Sequence, residues 1–128
     1  MARAADTNVI VRLIVRDDPK QLARAMAYAS GGLWVSQVVL VEVAWVLASV
    51  YELDAKQLAT AIDLLLQHSD VTIEAPDVVS AALASFRKHK GLDFADCLIV
   101  EIARKAGRAP VVTFDRALAK LDGAELIR

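Results

Sequence analysis

The sequence contains one cysteine, five glycines and two histidines, and these small numbers exclude several kinds of site. Its one cysteine, Cys97, cannot form an internal disulfide and is typical of a reducing compartment, so we expect a cytoplasmic protein. The five glycines form no Gly-rich phosphate loop after a predicted strand. His68 and His89 have no Cys or acidic partner at the spacing of a zinc site. No Ser-His-Asp set or nucleophile elbow is present either.

Charge and hydropathy argue against a strongly basic nucleic-acid-binding domain and against a membrane span. The formal net charge is −1, from 15 Lys and Arg against 16 Asp and Glu. The most membrane-like stretch, residues 33–51, carries Glu42 near its middle, which costs about 2.5–3.5 kcal/mol at the centre of a membrane helix. We therefore expect this stretch to be buried in protein, with no membrane association. The apolar content of 56% and mean hydropathy of +0.41 predict a subunit interface, and hence a homodimer.

Short apolar segments alternate with longer segments of helical periodicity. Strands are predicted at residues 2–5, 33–36, 71–74, 109–114 and 125–127, and helices at 9–15, 19–29, 38–51, 55–68, 76–90 and 93–106. This alternation is typical of a parallel α/β sheet with helices on both faces, and the length predicts one domain over residues 1–128. In such sheets ligands bind beyond the carboxyl ends of the strands, so the residues that follow each strand are candidates.

Acidic side chains stand near these strand ends. Asp6 directly follows the first predicted strand and Asp115 the fourth, so both carboxylates reach one crevice if those strands are neighbours. Each could equally cap the helix behind it. Glu42 lies in VVLVEVAWVLASV, which has no polar face, and a helix that is apolar all round is predicted to be buried. A buried glutamate needs a partner, either an arginine such as Arg12 or Arg16 or a bound cation.

The stretch LDFADCLIV places Asp93 and Asp96 three residues apart at the start of an apolar helix. Asp93 suits the N-cap and Asp96 the third helical position, where an acid reaches back as in a capping box. Because residues three apart share one helix face, the two carboxylates also repel each other unless a cation lies between them. Mg²⁺ and Mn²⁺ take carboxylate oxygens. A site of carboxylates without a nucleophilic side chain suits metal-activated water attacking a phosphodiester.

Four motifs together resemble the PIN domain: DTN at residues 6–8, Ser36 with Glu42 six residues later, DFADCL at 93–98 and TFDRAL at 113–118. The stretch DTNVIVRLIVRDDP is similar to VapC-type toxins of type II toxin–antitoxin pairs. The resemblance covers about residues 5–121. It implies an α/β/α sandwich around a central parallel sheet of four to five strands in the order 3-2-1-4-5. It also implies an endoribonuclease that depends on Mg²⁺ or Mn²⁺ and is neutralised by an antitoxin.

The resemblance also implies residue roles by position. The acidic quartet of the family, catalytic and metal-binding, is matched by Asp6, Glu42, Asp96 and Asp115. Asp93 matches a further acid that many members carry and that would add negative charge at the metal. The groups expected to orient the carboxylates are Thr7, Asn8, Ser36 and Thr113.

A local basic surplus is a candidate RNA-binding feature. Between residues 87 and 120, eight basic side chains stand against four acidic ones, although a solvated helix face is the ordinary explanation. On the nuclease hypothesis these cations guide the RNA backbone, and the candidates are Arg87, Lys88, Lys90 and Arg116.

Two other functions stay open at the level of the sequence. One is a metal-dependent phosphatase or phospho-acceptor domain with Asp6 as nucleophile, although no lysine ends a predicted strand, as that chemistry would require. The other is a non-catalytic interaction domain in which the acids serve only as helix caps and salt-bridge partners.

Overall fold

The computed structural model, which describes residues 2–128, contains the predicted alternation of strands and helices. The strands are β1 (Arg3–Ala4), β2 (Leu33–Val35), β3 (Val71–Ile73), β4 (Val111–Thr113) and β5 (Ala124–Leu126). The helices are α1 (Thr7–Val15), α2 (Pro19–Ala29), α3 (Gln37–Ser49), α4 (Ala55–Gln67), α5 (Pro76–Lys88) and α6 (Phe94–Lys105). A turn of 3₁₀ helix at Leu118–Lys120 was not predicted. Within the described residues, no helix is both long and apolar enough to span a membrane.

Local capping chemistry sets where several helices begin. Asp18 accepts the backbone N–H of Gln21 at 3.1 Å, and Pro19 occupies the first turn of α2. Asp54 and Gln57 form a complete capping box at the start of α4, each side chain accepting the other residue's N–H. These starts agree with the sequence because capping partners lie only three residues apart.

Several element ends differ from the prediction by one or two residues; α1, for example, begins at Thr7 rather than at residue 9. The strand predicted over residues 109–114 is confined to Val111–Thr113. The helix α5 ends at Lys88, two residues before the predicted end, so Gly91 does not directly terminate it.

The chain divides into two compact units, one up to Pro76 and the other Asp77–Arg128. In the first unit β1, β2 and β3 form a parallel sheet in the order β1-β2-β3. Side chains alternate along β2 and β3, so that one face is buried and Trp34 and Thr72 lie on the other. The buried side chains of this unit's sheet and helices include Leu33, Val35, Val71, Ile73, Ile10, Leu40, Val43, Leu47, Ile62 and Leu65.

In the second unit β4 and β5 pair in parallel, with Val111 opposite Ala124 and Thr113 opposite Leu126. The rings of Phe86 in α5 and Phe94 in α6 meet edge to face, with centroids 6.0 Å apart and an interplanar angle of 88°. The other buried side chains include Val79, Leu83, Cys97, Leu98, Val100, Leu118 and Leu121. Cys97 is thus a buried free thiol, as predicted.

The two sheets reproduce two parts of the predicted strand order. The order 3-2-1 occurs in the first unit and 4-5 in the second. The step from β1 to β4, and the single domain over residues 1–128, stay predictions.

Candidate active site

Three predicted site residues of the first unit lie where strands give way to helices. Asp6 follows β1 and is the N-cap of α1, where its Oδ1 atom accepts the N–H of Val9 at 3.3 Å. Ser36 has the same position between β2 and α3, and its hydroxyl oxygen accepts the N–H of Val39 at 3.1 Å. Asn8, in the first turn of α1, is exposed. Capping engages one carboxylate oxygen of Asp6, and the side chain stays open to solvent.

Glu42 is exposed, so the prediction of a helix buried all round is wrong. One face of α3 is buried through Leu40, Val43, Ala44 and Leu47. The other face carries large apolar side chains in solvent: Val38 is 70% exposed and Trp45 67%. Since both faces of α3 are apolar in sequence, the hydrophobic pattern alone could not indicate which of them is covered.

The hydrogen-bond partner of Glu42 is a hydroxyl group. Thr7 in α1 donates from Oγ1 to Oε2 of Glu42 at 2.9 Å, across 35 residues of sequence. Glu42 forms no salt bridge with Arg12 or Arg16 in the described part of the chain, although the sequence allowed one. Arg12 pairs instead with Asp17, at 2.6 Å from Nη1 to Oδ1. Thr7 therefore contacts the Glu42 carboxylate, and its role of orienting that carboxylate at a metal site stays a prediction.

In the second unit Asp93 and Asp96 open α6 at the predicted N-cap and third helical positions, but only the half of the capping box contributed by Asp96 forms. Asp93 occupies the N-cap position without making a side-chain capping hydrogen bond. Asp96, in the first turn, has its pKa raised above the ordinary value, first by burial and then by the negative charges of Asp93 and Asp115. A hydrogen bond with the Asp93 backbone opposes the rise. The negative charges of Asp93 and Asp115 therefore reach the Asp96 carboxylate.

Asp115 follows β4 after Phe114. Its Oδ1 atom accepts the N–H of Ala117 at 2.8 Å, and its own N–H donates to the Thr113 hydroxyl at 2.9 Å. Asp115 thus holds the turn that leads into the 3₁₀ segment, whose own N-cap position is Ala117. Thr113 was expected to orient a carboxylate. The hydrogen bond that its hydroxyl accepts comes instead from the Asp115 backbone, so Thr113 holds the turn that carries the Asp115 carboxylate.

Each unit carries two members of the predicted quartet, Asp6 and Glu42 in the first and Asp96 and Asp115 in the second. Across residues 2–128, no three His, Cys, Asp or Glu side chains lie close enough together to hold a metal ion. The grouping of all four acids in one site stays a prediction.

The candidate RNA-contacting residues belong to the second unit. Arg87 and Lys88 lie in the last turn of α5, Lys90 follows that helix, and Arg116 follows Asp115. All four basic side chains are exposed, so they are accessible to a polyanion. Their role in RNA binding stays a prediction.

The comparison with protein families defines the class of this α/β protein. The family model described as PIN domain matches residues 4–124, nearly the whole chain. The chain belongs to the PIN-domain family. PIN domains have an α/β/α fold, and the helices and parallel strands described above agree with it, so the predicted fold class is confirmed. Members are typically nucleases that use divalent metal ions, usually Mg²⁺ or Mn²⁺. Comparisons with curated proteins and with solved structures gave no match.

Proposed function

We propose that this chain is a divalent-metal-dependent endoribonuclease that acts as a VapC-type toxin and is neutralised by a cognate antitoxin. The observation that supports this function is the family match over residues 4–124, together with the sequence resemblance that assigns four carboxylates to the family's acidic quartet. The quartet consists of Asp6, Glu42, Asp96 and Asp115. Because none of the four is replaced, the chain retains the groups that the activity requires.

The donor chemistry of the quartet fits Mg²⁺ or Mn²⁺. All four side chains offer carboxylate oxygens, which hard divalent cations prefer. Burial first, and then the charges of Asp93 and Asp115, raise the pKa of Asp96, and a cation would relieve the repulsion among these carboxylates. Asp6, Asp96 and Asp115 would hold the ion, and Asp93 would add negative charge beside it.

The chemistry divides between the ion and the protein. When bound, the ion supplies Lewis acidity towards the scissile phosphate and lowers the pKa of water. Glu42 orients the attacking water and takes its proton. The Thr7 hydroxyl donates to Oε2 of Glu42 at 2.9 Å, which would leave Oε1 as the oxygen that acts on the water. The N–H of Val9 holds Asp6 in the same way at the start of α1.

RNA binding on this proposal depends on exposed cations rather than on sequence readout. Arg87, Lys88, Lys90 and Arg116 would contact phosphates, which gives affinity that falls steeply with salt. Discrimination among RNAs would then come from their shape and from unpaired bases.

Cleavage by the purified, antitoxin-free chain tests the enzyme. A panel of cellular RNAs is incubated with Mg²⁺ or Mn²⁺, with and without EDTA, using wild type, Asp6→Ala, Asp96→Asn and Glu42→Gln. The matched controls are Asp70→Asn and Glu125→Gln, which remove the same charges outside the quartet. We expect cleavage that requires the metal and is lost only in the quartet variants. Cleavage that survives EDTA, or that persists in the quartet variants, would contradict the assignment. In a separate experiment, a stable phospho-Asp6 formed with acetyl phosphate would favour the phospho-acceptor alternative.

The toxin role and the homodimer need separate measurements. Expression of the chain alone should arrest growth, and co-expression of the short neighbouring reading frame should restore it; growth unaffected by the active enzyme would contradict a toxin. Exposed apolar side chains such as Val38 and Trp45 on α3 support self-association. Light scattering at high micromolar concentration should therefore give the mass of a dimer, and a monomer mass would contradict it.

A further inference from the structure

The helices α1 and α3 are joined by polar contacts at two separate places. Near the start of α1, Thr7 donates to Glu42. Near its end, Arg12 donates from Nη1 to the hydroxyl oxygen of Tyr51 at 3.2 Å, just beyond α3. The two contacts follow the same order along both helices. Together they restrict sliding and rotation of one helix against the other.

The second contact belongs to a closed network of three side chains. Asp17 accepts from Nη1 of Arg12 at 2.6 Å and from the Tyr51 hydroxyl at 3.4 Å. The hydrogen bonds that Arg12 donates to Tyr51 and Asp17 raise the pKa of Arg12, so its guanidinium stays charged. Asp17 lies directly after Arg16, whose left-handed backbone (φ 61°) ends α1. The network therefore ties the end of α1 and the following turn to the end of α3.

Arg12 is held tightly, although one of its donors has no partner. Its Nε atom is buried without a hydrogen bond to any described residue. An unsatisfied buried donor costs about 1–3 kcal/mol, so the position of this side chain is imposed by packing and by its contacts through Nη1. A side chain held in this way couples a movement of the end of α3 to a movement of α1.

Glu42 depends on that geometry. Within the described chain its carboxylate has one hydrogen-bond partner, Thr7, which belongs to the neighbouring helix. An exposed hydrogen bond of this kind contributes about 1 kcal/mol and cannot by itself fix how two helices pack. The orientation of Glu42 therefore needs a second constraint between α1 and α3.

We propose that Tyr51, through its contacts with Arg12 and Asp17, is a positioning residue for Glu42, an inference that rests on the proposed nuclease function. The hydroxyl of Tyr51 keeps α1 in the position at which Thr7 meets Glu42. Loss of the hydroxyl lets Glu42 rotate away from the direction in which it takes a proton from water. The substrate-binding groups are unaffected, so the effect falls on kcat rather than on KM.

The test uses Tyr51→Phe, which removes one oxygen atom, with Tyr28→Phe as its matched control. Tyr28 is the chain's other tyrosine, is 61% exposed and makes no hydrogen bond through its hydroxyl within residues 2–128. We expect kcat for RNA cleavage to fall about tenfold in Tyr51→Phe with KM within about twofold, because small misplacements of a reacting group are costly. Tyr28→Phe should match wild type.

A second measurement does not depend on activity. In protein labelled with ¹³C at the glutamate carboxyl groups, the Glu42 signal is assigned by its loss in Glu42→Gln. It should shift in Tyr51→Phe and keep its position in Tyr28→Phe. If Tyr51→Phe does not fold, Asp17→Asn, which weakens the same network, takes its place.

The outcomes separate the two proposals. An inactive wild type would overturn the nuclease function, while the Glu42 signal would still decide whether Tyr51 positions this residue. An active wild type with kcat and Glu42 signal unchanged in Tyr51→Phe would overturn the positioning role. A fall in thermal stability alone, with kcat and the Glu42 signal unchanged, would show a purely structural contact and overturn it as well.

Discussion

Replacing Gly123 by alanine should destabilise the second unit by a predictable amount. Gly123 precedes β5, whose pairing with β4 supports the turn at Asp115, and its backbone has a positive φ of 94°. An added Cβ would lie 2.8 Å from Nη2 of Arg104 and 3.0 Å from Cγ1 of Val100. Both distances are shorter than ordinary contacts, so at least one neighbour has to move.

The cost has three parts. A non-glycine residue at positive φ costs about 1–2 kcal/mol. Moving the Arg104 guanidinium breaks its 2.8 Å hydrogen bond to the carbonyl oxygen of Asp122, which costs about 1 kcal/mol. Against these, alanine restricts the unfolded chain and returns about 0.4–1 kcal/mol. The expected loss in the free energy of unfolding is about 2 kcal/mol.

Thermal unfolding by circular dichroism or calorimetry measures this loss. With an unfolding entropy of about 2.1 cal/mol/K per residue, about 2 kcal/mol corresponds to a fall in Tm of about 7 °C for a chain of this length. Gly31→Ala is the matched control, because its Cβ would lie at an ordinary 3.6 Å from the carbonyl oxygen of Tyr28. A Tm for Gly123→Ala equal to that of Gly31→Ala would refute the steric argument.

Three further substitutions test the charges and contacts described above. Asp96→Asn should abolish cleavage and raise the Tm of the metal-free protein, because it removes a partly buried charge and its repulsion from Asp93 and Asp115. A lower Tm in EDTA would contradict this. The hydrogen bond from Lys105 lowers the pKa of Asp77 in the folded protein. The pair therefore stabilises the fold at any pH above the pKa of an unfolded Asp, which is about 4. This stabilisation is lost as the pH falls through the lower pKa of the folded state. Asp77→Asn should thus be slightly less stable than wild type at pH 7 and equally stable in strong acid. Urea titrations measure the free energy of unfolding of both proteins, and a difference between them that does not change with pH would contradict the pairing. Thr7→Val should lower kcat by removing the donor to Glu42, whereas Thr60→Val, which removes a hydroxyl bonded within α4, should not.

The parts of the structure that agree with the sequence depend on contacts between near neighbours. The starts of α2 and α4 follow from Asp18 and Asp54, whose partners are three residues away. The alternation of strands and helices follows from hydrophobic periodicity, and it suffices for the fold class. Asp6 and Asp115 are likewise visible in the sequence, because each follows a predicted strand.

The parts of the structure that differ from the prediction have two causes. Some depend on contacts between residues far apart along the chain, and others on a side chain that can adopt several rotamers at the same position. Asp93 has the position of a helix cap but does not use its side chain for capping, since position along the chain does not determine a rotamer. Arg12 pairs with Asp17 rather than Glu42, because the turn after α1 brings that carboxylate closer.

The sequence by itself therefore determined the α/β class, most helix boundaries and the acidic residues characteristic of the PIN family. Only the tertiary structure decided that Glu42 is exposed, that Thr7 is its donor, and that Tyr51 joins the two helices that carry them. The physical reason lies in the range of the interactions. Caps and periodicity act within a turn or two, whereas the exposure of α3 and its contacts with α1 depend on how helices separated by some 35 residues pack together.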